Sequence, residues 1–199
     1  MISTPDIVVT RGRISELART PLLAPRERQH AATLGAAAAL AFVAGRTLLR
    51  RILGLVELVE PAEGKPRLAG DRGIDFNLSH AGEVVLVAVA RNRRVGIDVE
   101  PVSHHRDVLA IAEAALGPDA ALALQHTAAE HRAARFSCWW VRIEALCKAS
   151  GAGLTFPVDT TIPSGFTVRD VAMHAGYRAA VAFDGDPHAH LAIHDWSPA

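Results

Sequence analysis

The stretch "IDFNLSHAGEVVLVAVARNRRVGIDVE", residues 74–100, constrains the fold more than any other part of the chain. Its side chains alternate, and turn signals at "HAGE" and "RNRR" interrupt the alternation, so it predicts three short strands. Its last part poses a chemical question. In "RVGIDVEPV" a strand places Ile97 and Val99 on one face and Asp98 and Glu100 on the other. Two carboxylates side by side repel each other. A bound cation would remove that repulsion and an exposed face would merely screen it; the segment alone allows both.

The flanking sequence reads as mixed α and β structure. "DIVVT" at the start is a strand, followed by a Pro-punctuated loop. Residues 25–53 read as one long helix, with Phe42, Leu49 and Ile52 at helical spacing, a basic row at Arg46 and Arg50, and Gly54 as its stop. "LVELVE" is a strand candidate before a loop rich in Gly and Pro. Residues 106–116 form a helix, a polar region follows, and a stronger helix spans 128–150. Its apolar stripe reads Phe136, Trp140, Ile143 and Cys147, and "SGAG" ends it. From Phe156 on the chain returns to strands. "EVVLVAVARNRRVGIDVE" and "YRAAVAFDGDPHAHLAIHDW" both run strand, polar turn, strand, each preceded by a long helix. That echo suggests two similar α/β lobes packed together.

Composition removes several classes of function. Lys plus Arg and Asp plus Glu both count 21 in 199 residues, so no bulk charge draws the chain to nucleic acid or an anionic membrane. Cys138 and Cys147 are too few and too unpatterned for a disulfide framework or a zinc site. "MISTPDIVVTRG" lacks a signal-peptide pattern, and "LGAAAALAFVAG" is too short to span a bilayer. A cytoplasmic protein is expected.

Further short patterns carry chemistry, each with a plainer reading beside it. Glu144 and Lys148 stand four apart on one helical face, acid first; alone this reads as an exposed pair worth about 0.3–0.5 kcal/mol. Ser79 and His80 sit at a strand end, where Ser commonly makes local turn bonds. Lys65 lies in "GKP", ordinarily an exposed turn. Trp139 and Trp140 read as packing residues, and His104 and His105 as a solvated loop without a third ligand at metal spacing. Arg50 and Arg51 read as solvating a helix face or meeting an acidic partner. His174, His188, His190 and His194 read as surface, with the last two near a tail strand.

Taken in order, "GRTLLRRILG", "GKP", "FNLSHAGEVVLVAV", "VGIDVE" and "WVRIEALCKASGAGL" resemble the Sfp-type 4'-phosphopantetheinyl transferases over about residues 25–160. The resemblance implies an α/β (α+β) fold of two similar lobes in pseudo-twofold arrangement, each a small antiparallel sheet packed on a long helix. The lobes would divide near residues 1–94 and 95–199, with the active site between them. It implies transfer of the 4'-phosphopantetheine arm of coenzyme A to a serine of an acyl or peptidyl carrier protein, with release of 3',5'-ADP. Asp98, Glu100 and Glu144 would hold Mg²⁺ on the coenzyme A pyrophosphate, as hard oxygen ligands do. Glu144 would also take the serine proton, and Lys148 would stabilise negative charge on the pyrophosphate or leaving group. Lys65, Ser79 and His80 match coenzyme A-binding positions, His80 at the 3'-phosphate. The analogy also implies a monomer.

Two positions depart from the family pattern. Ile143 stands where the residue before the glutamate is commonly Lys, and Ala41 stands where Arg commonly precedes Phe42. Arg46 or Arg28 are the candidates to compensate. These departures keep a second reading open, a relative that binds carrier protein or coenzyme A without transfer. A metal-dependent hydrolase acting on another phosphate ester through the same acids is a third.

Overall fold

The computed structural model describes residues 5–61, 65–70, 72–103, 107–154, 158 and 161–197; His104, His105 and Phe156 lie outside them. The elements are β1 (Ile7–Arg13), α1 (Ile14–Leu17), α2 (Pro25–Ala31), α3 (Ala36–Leu53), β2 (Leu58–Val59), β3 (Arg67–Leu68), β4 (Ile74–Ala81), β5 (Val84–Arg91), β6 (Val95–Pro101), α4 (Val108–Leu116), α5 (Pro118–Gln125), α6 (Ala129–Ser150), β7 (Phe166–Val171), β8 (Tyr177–Asp184) and β9 (Leu191–Asp195). Among the described residues, no helix is long and apolar enough to cross a membrane.

Two main sheets carry the fold. One has the order β4-β5-β1-β9, antiparallel except for the β1–β9 pair; the other is the antiparallel β6-β8-β7. Leu48 and Leu49 of α3 cover one face of the first sheet through Phe76, Val85 and Val87. Ile7, Val9, Leu86 and Ala88 on its other face meet Ile97, Val99, Val181 and Phe183 of the second sheet. Val141, Ala145 and Ala149 of α6 close the far side against Ala180 and Ala182. The result is helix, sheet, sheet, helix, an α+β architecture as expected. Both central faces are apolar because each sheet is covered twice.

The three strands read in residues 74–100 are all present, but they do not form one meander. β4 and β5 are a hairpin, whereas β5 lies in the first sheet and β6 in the second. The "RNRR" turn therefore carries the chain between sheets, with Asn92 at φ 53° and its N–H on Gly73 O at 2.7 Å. The echoed segment makes the opposite passage, since β8 lies in the second sheet and β9 returns to the first. Similar strand–turn–strand patterns here mark two crossings, so the halves of the chain are interlaced by β9.

The helix expected over 25–53 is two helices. α2 begins at Pro25 with the Glu27 carboxylate on the Ala24 N–H at 2.7 Å, and Thr33 turns its hydroxyl back to His30 O at 2.7 Å. That local bond competes with helix propagation, and α3 restarts after Gly35. Arg50 does not solvate a helix face: it is 4% exposed, bonded to Glu27 at 2.7 Å and to Val56 O at 3.0 Å. The "polar region" before α6 holds a further helix, α5, opened by Pro118 after Gly117 at φ 90°. Its exposed Leu122 blurs the apolar-against-polar division that marks a helix in sequence.

α6 lies closer to β6 than its expected stripe implies. Val141, Ala145 and Ala149 face the second sheet, while Phe136 packs toward α4 and α5, and Trp140 and Cys147 are only half-buried. Small residues permit the approach, and Gly96 completes it. A Cβ at Gly96 would lie 2.1 Å from Ala145 O and 2.4 Å from Ala149 N, both backbone atoms that cannot swing aside. Gly96→Ala should therefore push α6 off β6. We expect a loss of about 1–3 kcal/mol or more in chemical denaturation, the usual cost of overpacking, whereas Gly35→Ala, whose Cβ would meet nothing within 4 Å, should serve as a near-neutral control.

Candidate functional site

The close approach at Gly96 determines what α6 presents to β6. Gly96, Asp98 and Glu100 share one face of β6, because alternate residues of a strand do. Ala145 and Ala149 sit on Gly96, so Glu144 and Lys148, each one position earlier on the helix, overhang Asp98. Asp98, Glu100 and Glu144 each offer a carboxylate oxygen, and these oxygens lie within 4.8 Å of one another. The two faces predicted for "GIDVE" are those observed: Ile97 and Val99 enter the core while the acids face α6.

Asp98 is the most buried of the three, 2% exposed. Its Oδ1 accepts from Lys148 Nζ at 2.6 Å and from Ser79 Oγ at 2.9 Å. Its Oδ2 is buried without a hydrogen-bond partner. An unpartnered buried carboxylate oxygen is costly, and it is the atom left for a cation to bind. Lys148 also pairs with Glu144 at 3.4 Å, so the helical acid–base pair is not a free surface pair; it is shared with Asp98 across two elements. Burial first, then the Asp98 charge, push the Glu144 carboxyl above the usual carboxylate range; Lys148 and a hydrogen bond with Trp140 pull it back in part. Burial and the nearby Glu144 likewise push the Cys147 thiol up, which keeps it from acting as a thiolate.

A cleft of about 690 Å³ opens over this cluster, walled by Lys65, Pro66, Asn77, Glu144, Lys148 and the loop of residues 151–154. A second pocket of about 360 Å³ adjoins it, sharing Pro66 and Asn77 and extending along α3 to Ala41, Phe42, Arg46 and His80. Glu144, Lys148 and Lys65 line the first cleft, with Asp98 and Glu100 gathered next to Glu144; Glu100 borders a separate small pocket beside Phe136 and Trp140. Ser79 and His80, neighbours in sequence, point to opposite faces of β4: Ser79 is tied to Asp98, and His80 is exposed in the second pocket.

Lys65 and Ser79 belong to a larger arrangement. Val95, Ile97 and Val99 of β6 donate their N–H groups to side chains of β4: Asp75 Oδ2 at 2.8 Å, Asn77 Oδ1 at 2.9 Å and Ser79 Oγ at 3.3 Å. Lys65 Nζ bonds Asp75 and also donates to Val95 O at 2.8 Å. The missed residues are Asp75, Asn77 and Gly96. For Asp75 and Asn77 the signal was the polar half of the alternation in "IDFNLS", where Asn77 and Ser79 are buried; for Gly96 there was none.

The two departures have separate consequences. Ile143 is buried and faces a different groove, with Leu146, Trp139 and Ile162, so it is turned away from the acid cluster. Ala41 lines the second pocket, one turn from Arg46. Arg46 is already bonded to Glu60 and lies 3.9 Å from Glu27, while its Nη1 is buried without a partner.

Comparison with known proteins gives the family. A sequence model of the 4'-phosphopantetheinyl transferase superfamily matches residues 94–195, the part that contains all three acids and Lys148. The chain is 32% identical over 130 residues to the 4'-phosphopantetheinyl transferase AcpT of Salmonella typhi, covering 64% of this chain and 68% of that one. It is 30% identical over 165 residues to AcpT of Escherichia coli, covering 80% and 82% of the two chains. With the 4'-phosphopantetheinyl transferase HetI of Nostoc sp. it shares 37% over 125 residues, 57% of this chain and 52% of HetI. The site geometry and these likenesses agree: the chain belongs to the 4'-phosphopantetheinyl transferase superfamily.

Proposed function

We propose that this protein transfers the 4'-phosphopantetheine arm of coenzyme A to a serine hydroxyl of an acyl or peptidyl carrier protein and releases 3',5'-ADP. The observation that carries the reading is the convergence of Asp98, Glu100 and Glu144 beside Lys148, with Glu144 and Lys148 on the wall of a cleft large enough for a nucleotide and its diphosphate. The donor set fits Mg²⁺: three carboxylates, one of them with a buried, unpartnered oxygen. Bound there, Mg²⁺ would supply charge neutralisation at the coenzyme A diphosphate.

The protein's own groups divide the remaining work. Lys148, held between Asp98 and Glu144, presents a cation to the diphosphate and to the departing nucleotide phosphate. Glu144 accepts the proton of the attacking serine hydroxyl, a role that its raised proton affinity suits. Ser79 holds Asp98 in place, and the close α6–β6 contact at Gly96 fixes the distance between the base and the other acids. His80 and Lys65 serve the coenzyme A nucleotide, His80 in the second pocket and Lys65 in the first. By analogy with the Sfp-type family, the proposed working form is a single chain.

Incubation with apo carrier proteins, coenzyme A and Mg²⁺ tests the reading by intact mass. We expect a gain of one phosphopantetheine on at least one carrier, abolished in Asp98→Ala and Glu144→Ala. No gain on any carrier, together with no coenzyme A binding by calorimetry, would favour the non-transferring relative.

The pH dependence of cation binding has a defined sign. Only ionised Glu144 serves as a ligand, and its carboxyl holds its proton to higher pH than an ordinary carboxylate. Mg²⁺ affinity should therefore fall as pH is lowered, beginning above the usual carboxylate range. In Glu144→Gln the affinity should be weaker throughout and the early part of that fall absent, as read by titration calorimetry. The stability sign is opposite: a carboxyl whose folded-state proton affinity is raised opposes folding once ionised. Without cation, Glu144→Gln should keep or raise the thermal midpoint at neutral pH.

A further inference from the structure

We propose that Asn77 is a substrate-binding residue whose side-chain amide donates a hydrogen bond to coenzyme A where the ligand crosses from one pocket to the other. The inference rests on the transferase reading above and names a contact within it. Asn77 is 5% exposed, yet it is one of two residues that line both the cleft over the acids and the pocket along α3. The orientation of its amide follows from its partner. The Ile97 backbone N–H can only donate, so the atom 2.9 Å away must be the Asn77 carbonyl oxygen. The NH₂ group is thereby turned away from β6. Among the described residues it has no hydrogen-bond partner and is not one of the sealed, unpartnered polar atoms, and Asn77 lines the cleft, so the group faces it.

An amide held at one end by a backbone bond and free at the other is a prepared donor. It requires little ordering when a ligand arrives. Asp75 and Ser79, the neighbours on the same face of β4, have no such spare group. Asp75 is bonded to Val95 N–H and Lys65, and the Ser79 hydroxyl donates to Asp98. Of the three side chains that reach β6, only Asn77 has a donor to offer the cleft. With the diphosphate beside the acid cluster and the nucleotide toward His80, the part of coenzyme A that passes Asn77 is the nucleotide side of the diphosphate and the adjoining ribose. Both present oxygen acceptors, and 3',5'-ADP retains them.

Two substitutions separate this role from support of the fold. Asn77→Ser keeps a neutral acceptor for Ile97 N–H, as Ser79 does for Val99, but is too short to reach the cleft. Asn77→Asp keeps the acceptor at its present reach and removes the donor. Calorimetry with coenzyme A, 3',5'-ADP and 4'-phosphopantetheine, alongside thermal midpoints and steady-state transfer, gives the readout. We expect both variants to bind coenzyme A and 3',5'-ADP roughly tenfold to hundredfold more weakly, the range for loss of a hydrogen bond to a charged acceptor. KM for coenzyme A should rise while KM for the carrier protein and the affinity for 4'-phosphopantetheine hold. Asn77→Ser binding coenzyme A at wild-type affinity overturns the proposal, and a loss in Asn77→Asp alone is then repulsion by the new charge. A lowered thermal midpoint with unchanged coenzyme A affinity also overturns it, leaving Asn77 a structural bridge. Failure of the wild-type protein to bind coenzyme A or to transfer defeats the transferase reading itself, a result distinct from all of these.

Discussion

The fold depends on how the edge of β6 is satisfied. An edge strand presents a row of N–H groups that must find acceptors when buried. Among the described residues no strand is ladder-paired with them; three side chains of β4 reach across instead, and Lys65 takes a neighbouring carbonyl. Side chains span a wider gap than a backbone ladder and do not force the two strands into one sheet. The second sheet can therefore lie over the first, with an apolar core of Val9, Leu86, Ile97 and Val181 between them. The polar bridge and the apolar core are two parts of one interface.

The site is built on the other face of the same strand. Because β6 is fixed from one edge by β4 and from the other by β8, its Gly96 offers α6 a rigid surface without a side chain. The helix backbone settles there, and Glu144 and Lys148 are carried to Asp98. Three carboxylates this close would repel strongly without compensation. Lys148 offsets part of that repulsion, while burial first and the Asp98 charge second raise the proton affinity of Glu144. A bound cation would complete the balance, the role proposed for this cluster.

Much of this was legible in residues. Alternation in "GIDVE" assigned Asp98 and Glu100 to one face, and the four-residue step from Glu144 to Lys148 placed both on one side of a helix. The Sfp-type resemblance joined them into a ligand set, and the three acids do converge. Other residues could not be read this way. The burial of the polar half of β4 could not be read, because period-two alternation shows which residues share a side, not what covers it. Arg50 looked exposed because its partner, Glu27, comes from a separate helix. The break between α2 and α3 escaped notice because Ala-rich sequence favours helix throughout, and the interruption turns on one Thr hydroxyl.

The sequence by itself determined the elements, the faces of β6 and α6 that carry acids and bases, and the family to which the chain belongs. These follow from local periodicity and from motif order, which are properties of the chain read along its length. Only the tertiary structure decided that the strands on either side of "RNRR" enter different sheets, that Ser79 serves Asp98 while His80 turns to another pocket, and that Asn77 is tied to Ile97 at the border of two pockets. Each of those depends on which distant group supplies the opposite end of a hydrogen bond, and that choice is made only when the sheets and helices pack.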